Sequence, residues 1–312
     1  MDAELVIVGA GPAGVAAALR ARTLELDALV LEAGERPGGQ LHAVHFHPHD
    51  VPGFEAGDGA VLAQAYARQL AAAAVRLRTG VRAERLDAGG GAPAVHLAGG
   101  GRLSARAVLI ASGARRRTLG VPGERELEDR GVSYSATRDR ERLAGRRVVV
   151  VGGGDAAHEN ALLLAAAGST VTLLVRGIAR ARVEFRGRVA REARIRVCEH
   201  ATVLSIEGDG AVNAVRWRDG AGDHEEPVEG VVIKVGVLPG TEWCRGAIAT
   251  DADGFARVGA DLATSAPHVW ACGDVVRPLP PSVAVAIGQG TQAVAAIRAA
   301  LRAGSKGPGP DA

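Results

Sequence analysis

The chain has 312 residues, 47% of them apolar, which is enough for two ordinary domains with separate cores. Its 37 basic and 35 acidic residues nearly cancel, so no basic tract predicts nucleic-acid binding. Apolar runs such as 148–151 are far shorter than the roughly 20 residues of a membrane span, and the N-terminus begins with a strand pattern instead of a signal peptide. We therefore expect a cytoplasmic protein that binds neither nucleic acid nor membrane.

The elements predicted in chain order alternate between strands and helices. Strand-like runs rich in Val, Ile and Leu occur at 5–8, 28–31, 107–110, 148–151, 171–175 and 231–235. Ala-rich helical stretches follow several of them, which predicts parallel sheets covered by helices. Segments 87–105 and 206–230 predict short antiparallel strands joined by glycine turns. The fold class is therefore α/β, with two Rossmann-like domains of the three-layer ββα type, a final helix at 282–301 and a flexible tail at 304–312.

The first glycine-rich turn follows the first predicted strand. It reads GAGPAG at residues 9–14 and opens a helical stretch. Gly9 permits the tight turn, Gly11 lets the backbone approach a pyrophosphate, and Gly14 allows the helix to pack closely on the strand. Glu32 ends the next strand, where an acid binds ribose hydroxyls. Together these features predict a dinucleotide site.

A second turn of this kind, GGGDAA at residues 152–157, follows the strand at 148–151. At the end of its next strand no carboxylate occurs, and Arg176 and Arg180 follow instead. A carboxylate there would repel a 2′-phosphate, whereas guanidinium groups bind one. This pattern favours NADPH over NADH. Alternatively, the two arginines are only solvated surface groups.

Seven motifs give the sequence a family resemblance. In chain order they are GAGPAG (9–14), GGQL (38–41), IASGA (110–114), GVPGE (120–124), GVSYSATRD (131–139), VVVVGGGDAAHENA (148–161) and WACGDV (270–275). Their order and spacing resemble those of the low-molecular-weight thioredoxin reductases over nearly the whole chain. The resemblance implies a homodimer in which an FAD domain, residues 1–114 and 247–312, is interrupted by an NADPH domain, residues 115–246.

The resemblance also implies which residues contact the two cofactors. Those implied for FAD are Gly9, Gly11, Pro12, Ala13, Gly14, Glu32, Gly39, Gln40, Leu41, Ala111, Gly113, Gly273, Asp274, Val275, Ser282 and Val283. Those implied for NADPH are Gly152, Gly154, Asp155, Ala157, Arg176 and Arg180.

The chain departs from the family at the redox centre. Thioredoxin reductases carry a CxxC pair before the second glycine turn, and an acid follows it. Here the two cysteine positions are Ser135 and Arg138, which cannot form a disulfide. Asp139 remains at the acid position, where it could donate a proton to another acceptor or form a salt bridge with Arg138 or Arg140. A relay of electrons to thioredoxin through this segment is therefore not expected.

Other residues are weaker candidates for chemistry. The segment 40–54 holds four histidines, of which His45 is our first choice for proton transfer because an imidazole titrates near neutral pH. Cys272 lies two residues before Asp274, and a thiol near the flavin could be redox active if ionised. Alternatively, the histidines are ordinary loop residues and the Cys272 thiol serves only packing. No cysteine spacing predicts a metal site.

These observations leave three functions open. The first is an FAD-dependent NAD(P)H oxidoreductase whose flavin passes electrons directly to a small molecule, a protein carrier or oxygen. The second is a flavin-dependent oxidase or dehydrogenase of a biosynthetic small molecule, with a vestigial NADPH domain. The third is a non-catalytic nucleotide-binding regulator. The sequence does not identify the acceptor.

Overall fold

The computed structural model describes residues 1–305, which form two compact units. One unit contains Met1–Arg115 and the chain from Leu238 onward, and the other contains Arg116–Val237. The family resemblance placed the return to the first domain at residue 247, nine residues after this unit resumes at Leu238.

Strands and helices alternate along both units. The strands are β1 (Ala3–Val8), β2 (Ala28–Leu31), β3 (Arg76–Arg78), β4 (Ala83–Asp87), β5 (Ala94–Leu97), β6 (Arg102–Ile110), β7 (Ala114–Arg116), β8 (Val132–Ser133), β9 (Arg147–Val151), β10 (Thr170–Val175), β11 (Ile195–Glu199), β12 (Thr202–Glu207), β13 (Ala214–Asp219), β14 (Gly222–Pro227), β15 (Gly230–Ile233), β16 (Val237–Pro239) and β17 (Val269–Ala271). The α-helices are α1 (Pro12–Thr23), α2 (Gly59–Ala72), α3 (Ala136–Leu143), α4 (Asp155–Ala166), α5 (Val183–Arg191) and α6 (Val283–Ser305).

In the first unit, the long strand β6 joins two kinds of sheet. Its last six residues pair in parallel with β1, which continues through β2 to β3, and its end also pairs in parallel with β17. Its first three residues pair antiparallel with β5, which continues to β4. The parallel part carries a buried apolar sequence because both of its faces are covered. Helices α1, α2 and α6 pack on one face, and residues of β4, β5 and the segment after β16 pack on the other.

The second unit repeats this plan in two separate sheets. Five parallel strands follow the order β11-β10-β9-β15-β8, and three antiparallel strands follow the order β12-β13-β14. Helices α3, α4 and α5 belong to this unit, and their buried residues join the apolar face of the parallel strands. Both units therefore place parallel strand ends and helix starts at one sheet edge, where Rossmann-like folds bind ligands.

Most predicted elements occur at the predicted positions. The strand predicted at 231–235 ends at Ile233, and the final helix is longer than predicted, since α6 continues to Ser305. Residues 304 and 305, predicted as the start of the tail, are therefore helical, and 306–312 lie outside the described residues. Within residues 1–305 no helix combines the length and apolarity needed to cross a bilayer.

Candidate functional site

The first glycine turn has the backbone geometry that the sequence predicts. Gly9 has φ +109°, and a Cβ built on it would overlap the carbonyl of Ala111. A Cβ at Gly14 would overlap the carbonyl oxygen of Gly9, so only glycine lets the helix pack this closely on the turn. Helix α1 begins directly after Gly11 with Pro12 at its first position. Proline is tolerated there because the N–H of that position has no partner within the helix. The free N–H groups at the start of α1 therefore lie at the sheet edge, where they can bind an anionic group.

The carboxylate of Glu32 closes this turn from the end of β2. One oxygen accepts the backbone N–H of Ala10 at 2.8 Å, and the other accepts that of Gly34 at 2.7 Å. Each oxygen keeps a lone pair for a further donor. Glu32 is therefore fixed in place and can still accept hydrogen bonds from ribose hydroxyls.

A cavity of about 970 Å³ lies within the first unit at the ends of β1, β2 and β6. Of the residues predicted to contact FAD, all line it except Gly14 and Val275, which are buried beneath it. Sequence reasoning missed other lining residues. They include Phe46, Val81, Arg82, Ala83, Arg115, Glu242 and Trp243. Several follow strand ends, so the rule that ligands bind at the carboxyl edge of the sheet could have found them.

The chemistry of the cavity fits FAD. A Cβ at Gly11 would meet nothing closer than the Cα of Gly39 at 4.0 Å, so the backbone there is open to a large group such as a pyrophosphate. The carboxylate of Asp274 accepts a hydrogen bond from the Gln40 amide at 2.7 Å, and burial raises its pKa although this hydrogen bond lowers it. A half-buried acid and an amide together can hold a polyol chain, and the volume is typical of a ligand site.

The second glycine turn is similar, with alanine at its third small position. Gly152 has φ +144°, and a Cβ there would overlap the carbonyl of Lys234. Ala157 is fully buried at the predicted packing position, and Gly154 faces open space. This backbone fits a dinucleotide in the same way as the first turn.

Three arginines, at positions 176, 180 and 182, lie in the loop between β10 and α5. Asp155, the first residue of α4, accepts hydrogen bonds at 2.7 Å from both the backbone N–H and Nε of Arg182. Arg176 and Arg180 are exposed, and the backbone N–H of Arg180 donates to the carbonyl of Gly153 at 2.7 Å. These guanidinium groups suit an anionic phosphate. Sequence reasoning missed Arg182, although its place in the same loop was a usable signal.

The segment where the resemblance implies a CxxC pair, residues 135–138, begins helix α3. The Ser135 hydroxyl accepts the backbone N–H of Arg138 at 3.3 Å and caps the helix. The Asp139 carboxylate forms ion pairs with Nη2 of Arg138 at 2.8 Å and with Nη2 of Arg142 at 3.1 Å. It also accepts a short hydrogen bond from the Ser133 hydroxyl. Burial opposes the charge of Asp139, but these partners outweigh it and hold its pKa below the usual value. Asp139 is thus an ionised salt-bridge partner at neutral pH, and the second arginine is Arg142 instead of Arg140.

The candidate histidine and thiol lie in different surroundings. His45 is exposed and does not line the cavity, whereas its neighbour Phe46 does. His47 stacks on Phe54, with ring centroids 5.3 Å apart. The Cys272 thiol is fully buried, and burial raises its pKa to about 12. Within residues 1–305 no group of three or more His, Cys, Asp and Glu residues could hold a metal ion.

Comparison with known proteins agrees with this geometry. The family model of pyridine nucleotide-disulphide oxidoreductases matches residues 3–290. The chain is 36% identical over 284 residues to the thioredoxin reductase of Mycolicibacterium smegmatis, a match that covers 88% of each chain. It is 34% identical over 296 residues to a subunit of the alkyl hydroperoxide reductase of Pseudomonas putida, covering 93% of this chain and 56% of that protein. The chain thus spans little more than half the length of this second relative.

Solved structures support the fold. The crystal structure of Lactococcus lactis thioredoxin reductase aligns with a TM-score of 0.77 and 29% identity, over 95% of this chain and 98% of that one. The predicted α/β fold with two Rossmann-like domains is confirmed, and so is the resemblance to thioredoxin reductases.

Proposed function

Because the chain belongs to the pyridine nucleotide-disulphide oxidoreductase family, we propose that it is an FAD-dependent NAD(P)H oxidoreductase that passes electrons to an acceptor without a dithiol relay. The acceptor is a small molecule, a protein carrier or oxygen. We further propose that the chain acts as a homodimer in the cytoplasm, as the resemblance implies.

The surroundings of Ser135 and Arg138 carry this proposal. In the thioredoxin reductases that the sequence resembles, these positions hold the redox disulfide. Here the Ser135 hydroxyl caps α3, and the Arg138 guanidinium binds the carboxylates of Asp129 and Asp139, at 2.6 and 2.8 Å. Both side chains therefore stabilise the start of the helix, and neither has redox chemistry.

The three cysteines supply no replacement relay. Cys244 and Cys272 are buried with thiol pKa values raised to about 12, and Cys198 lies in the other compact unit with its pKa raised, mainly by burial. A thiol relay needs an accessible thiolate, which these pKa values disfavour. Relatives named thioredoxin reductase are thus a guide to the cofactors of this chain and not to its acceptor.

FAD and NADPH are the cofactors of this family, as the sequence predicted, and when bound they supply the two-electron chemistry. The residues of this chain hold and orient them. The Glu32 carboxylate would accept hydrogen bonds from ribose hydroxyls, and the Asp274 and Gln40 pair, which the structure brings together, would hold the chain that links the ring to the phosphates. The N–H groups at the starts of α1 and α4 would bind phosphates, and Arg176 and Arg180 would bind the extra phosphate of NADPH.

The test is anaerobic rapid mixing of the purified protein with NADPH while the visible absorbance of the flavin is recorded. We expect rapid bleaching, followed by reoxidation when oxygen, ferricyanide or a quinone is added, and no reoxidation by oxidised thioredoxin. A protein that binds no FAD, or whose bound FAD does not bleach with NADPH or NADH, would overturn the proposal.

A further inference from the structure

Lys234 holds a partly buried ammonium group beside the second glycine turn. The residue directly follows β15, and its Nζ donates a hydrogen bond at 2.7 Å to the carbonyl of Tyr134, which directly follows β8. Strands β15 and β8 are parallel neighbours. The ammonium group therefore lies at the carboxyl edge of the sheet, between the ends of these two strands.

The backbone of Lys234 touches the glycine turn itself. Its N–H donates to the carbonyl of Val151 at 2.8 Å, and its carbonyl lies where a Cβ on Gly152 would be. Strand β9 ends here between β10 on one side and β15 on the other. The chain runs from β9 to β10 through α4 and reaches β15 only later, so this is the point where the strand order switches and nucleotides bind.

The ammonium group has donors left over. It carries three N–H bonds, and in the described part of the chain the Tyr134 carbonyl is its one hydrogen-bond partner. Burial lowers the pKa of Lys234 and the nearby charge of Arg116 lowers it further, while only the exposed Glu159 raises it. A partly buried cation is costly unless its donors find acceptors, so the remaining N–H groups of Lys234 favour an acceptor supplied by a ligand.

The two sides of the sheet edge suit different ends of the dinucleotide. Arg176 and Arg180 follow β10, so they favour the phosphorylated adenosine end on that side. The other end of the dinucleotide would then extend toward β15 and β8, where Lys234 lies. Nicotinamide and its ribose offer oxygen acceptors there, in the carboxamide and the hydroxyl groups.

We propose that Lys234 donates hydrogen bonds to the nicotinamide end of the bound dinucleotide and thereby fixes the position of the ring. This inference rests on the proposed function, because it assumes that the second glycine turn binds NADPH. It adds a specific residue that neither the glycine motif nor the arginines predicted.

The test compares two ligands on the FAD-loaded protein by titration calorimetry. NADP⁺ carries both ends of the dinucleotide, whereas 2′,5′-ADP carries only the phosphorylated adenosine end. For Lys234→Met we expect NADP⁺ to bind about tenfold more weakly, since a hydrogen bond to a charged group is lost, while 2′,5′-ADP binds as in the wild type. For Arg176→Met, the matched control at the other end, both ligands should bind more weakly.

A second variant guards against a folding defect. Lys234→Gln keeps an N–H donor for the Tyr134 carbonyl, and we expect the same selective loss of NADP⁺ affinity with an unchanged unfolding midpoint and FAD content. Equal weakening of both ligands in both Lys234 variants would mean a structural role and overturn the inference. So would unchanged NADP⁺ binding in a variant when the wild type binds NADP⁺. If the wild-type protein binds neither ligand, the proposed function fails as well.

Discussion

The charge of Asp139 depends on a small set of contacts. Its side chain is only 11% exposed, and two guanidinium groups and the Ser133 hydroxyl surround it. Because these partners lower its pKa in the folded state, the unfolded chain binds a proton to this group more readily. Asp139 therefore stabilises the fold above its unfolded pKa of about 3.9, and that contribution disappears as the pH falls through the folded value.

Asp139→Asn should lower the free energy of unfolding by about 1–3 kcal/mol at neutral pH, because Arg138 and Arg142 lose their ionic partner. The difference from the wild type should shrink as the pH drops below about 4. Urea unfolding over a pH series measures both effects. The control is Asp209→Asn, on an exposed turn, which should change little. A destabilisation that stays constant down to the acid end would contradict the pKa argument.

The cysteines allow a second prediction at this scale. Iodoacetamide at about pH 8 should label the partly exposed Cys198 slowly and leave Cys244 and Cys272 unlabelled, because thiols with pKa values near 12 carry almost no thiolate. All three should react in urea. Mass spectrometry of the labelled peptides identifies each site. Fast labelling of Cys272 in the native protein would instead support a redox role for that thiol.

Individual contacts were only partly predictable from the sequence. The glycine positions and Glu32 follow from local backbone rules, so they could be assigned to a turn directly. Of the two arginine partners of Asp139, Arg138 was predicted, but Arg142 was not, since it reaches Asp139 only because α3 brings residues three apart onto one face. The Lys234 contact with Tyr134 joins residues 100 positions apart, and it depends on a strand pairing that the sequence does not reveal.

Among the elements, α6 packs closely on α1, the helix that follows the first glycine turn. Gly290 of α6 is buried, and a Cβ there would overlap the backbone carbonyl of Ala13 and lie 3.2 Å from the nitrogen of Ala17. Gly288, two residues earlier in the same helix, is exposed and faces open space. Substitutions at these two glycines therefore distinguish the effect of close packing from the effect of helix propensity.

Gly290→Ala should destabilise the protein by about 1–3 kcal/mol and reduce the FAD bound per chain, because α6 must move away from the helix that carries the turn. Gly288→Ala should instead stabilise it by about 0.5–1 kcal/mol, as alanine favours a helix. Thermal unfolding and the ratio of flavin to protein absorbance measure these effects. Similar behaviour of the two variants would show that the helix contact does not matter.

The elements themselves were well predicted, for a physical reason. Buried parallel strands have long apolar runs, and each glycine turn marks where a strand passes into a helix, so both patterns are visible in the sequence. The ends were less accurate. Helix α6 runs through Gly304 to Ser305, although glycine normally weakens a helix, and β15 stops before the charged Lys234.

At the scale of the whole molecule, the proposed function combines two dinucleotide sites with a segment, residues 135–138, that contains no cysteine. The family, the fold and the two cofactors followed from ordered motifs that each have a backbone role. The acceptor could not be predicted, because no motif identifies it, and several side chains that line the cavity, such as Phe46, Arg115 and Trp243, belong to no motif. The proposed function is therefore best tested by measuring how many electrons the protein takes up and whether any of them reach a disulfide.

The most direct test of the missing relay is an anaerobic reductive titration of the FAD-loaded protein with dithionite, followed by a count of free thiols. A chain that relies on FAD alone takes up two electrons per flavin, and its thiol count is the same before and after reduction. An enzyme with a redox disulfide takes up four and gains two thiols. We predict two electrons per FAD and no new thiols, whereas four electrons with two new thiols would contradict the account.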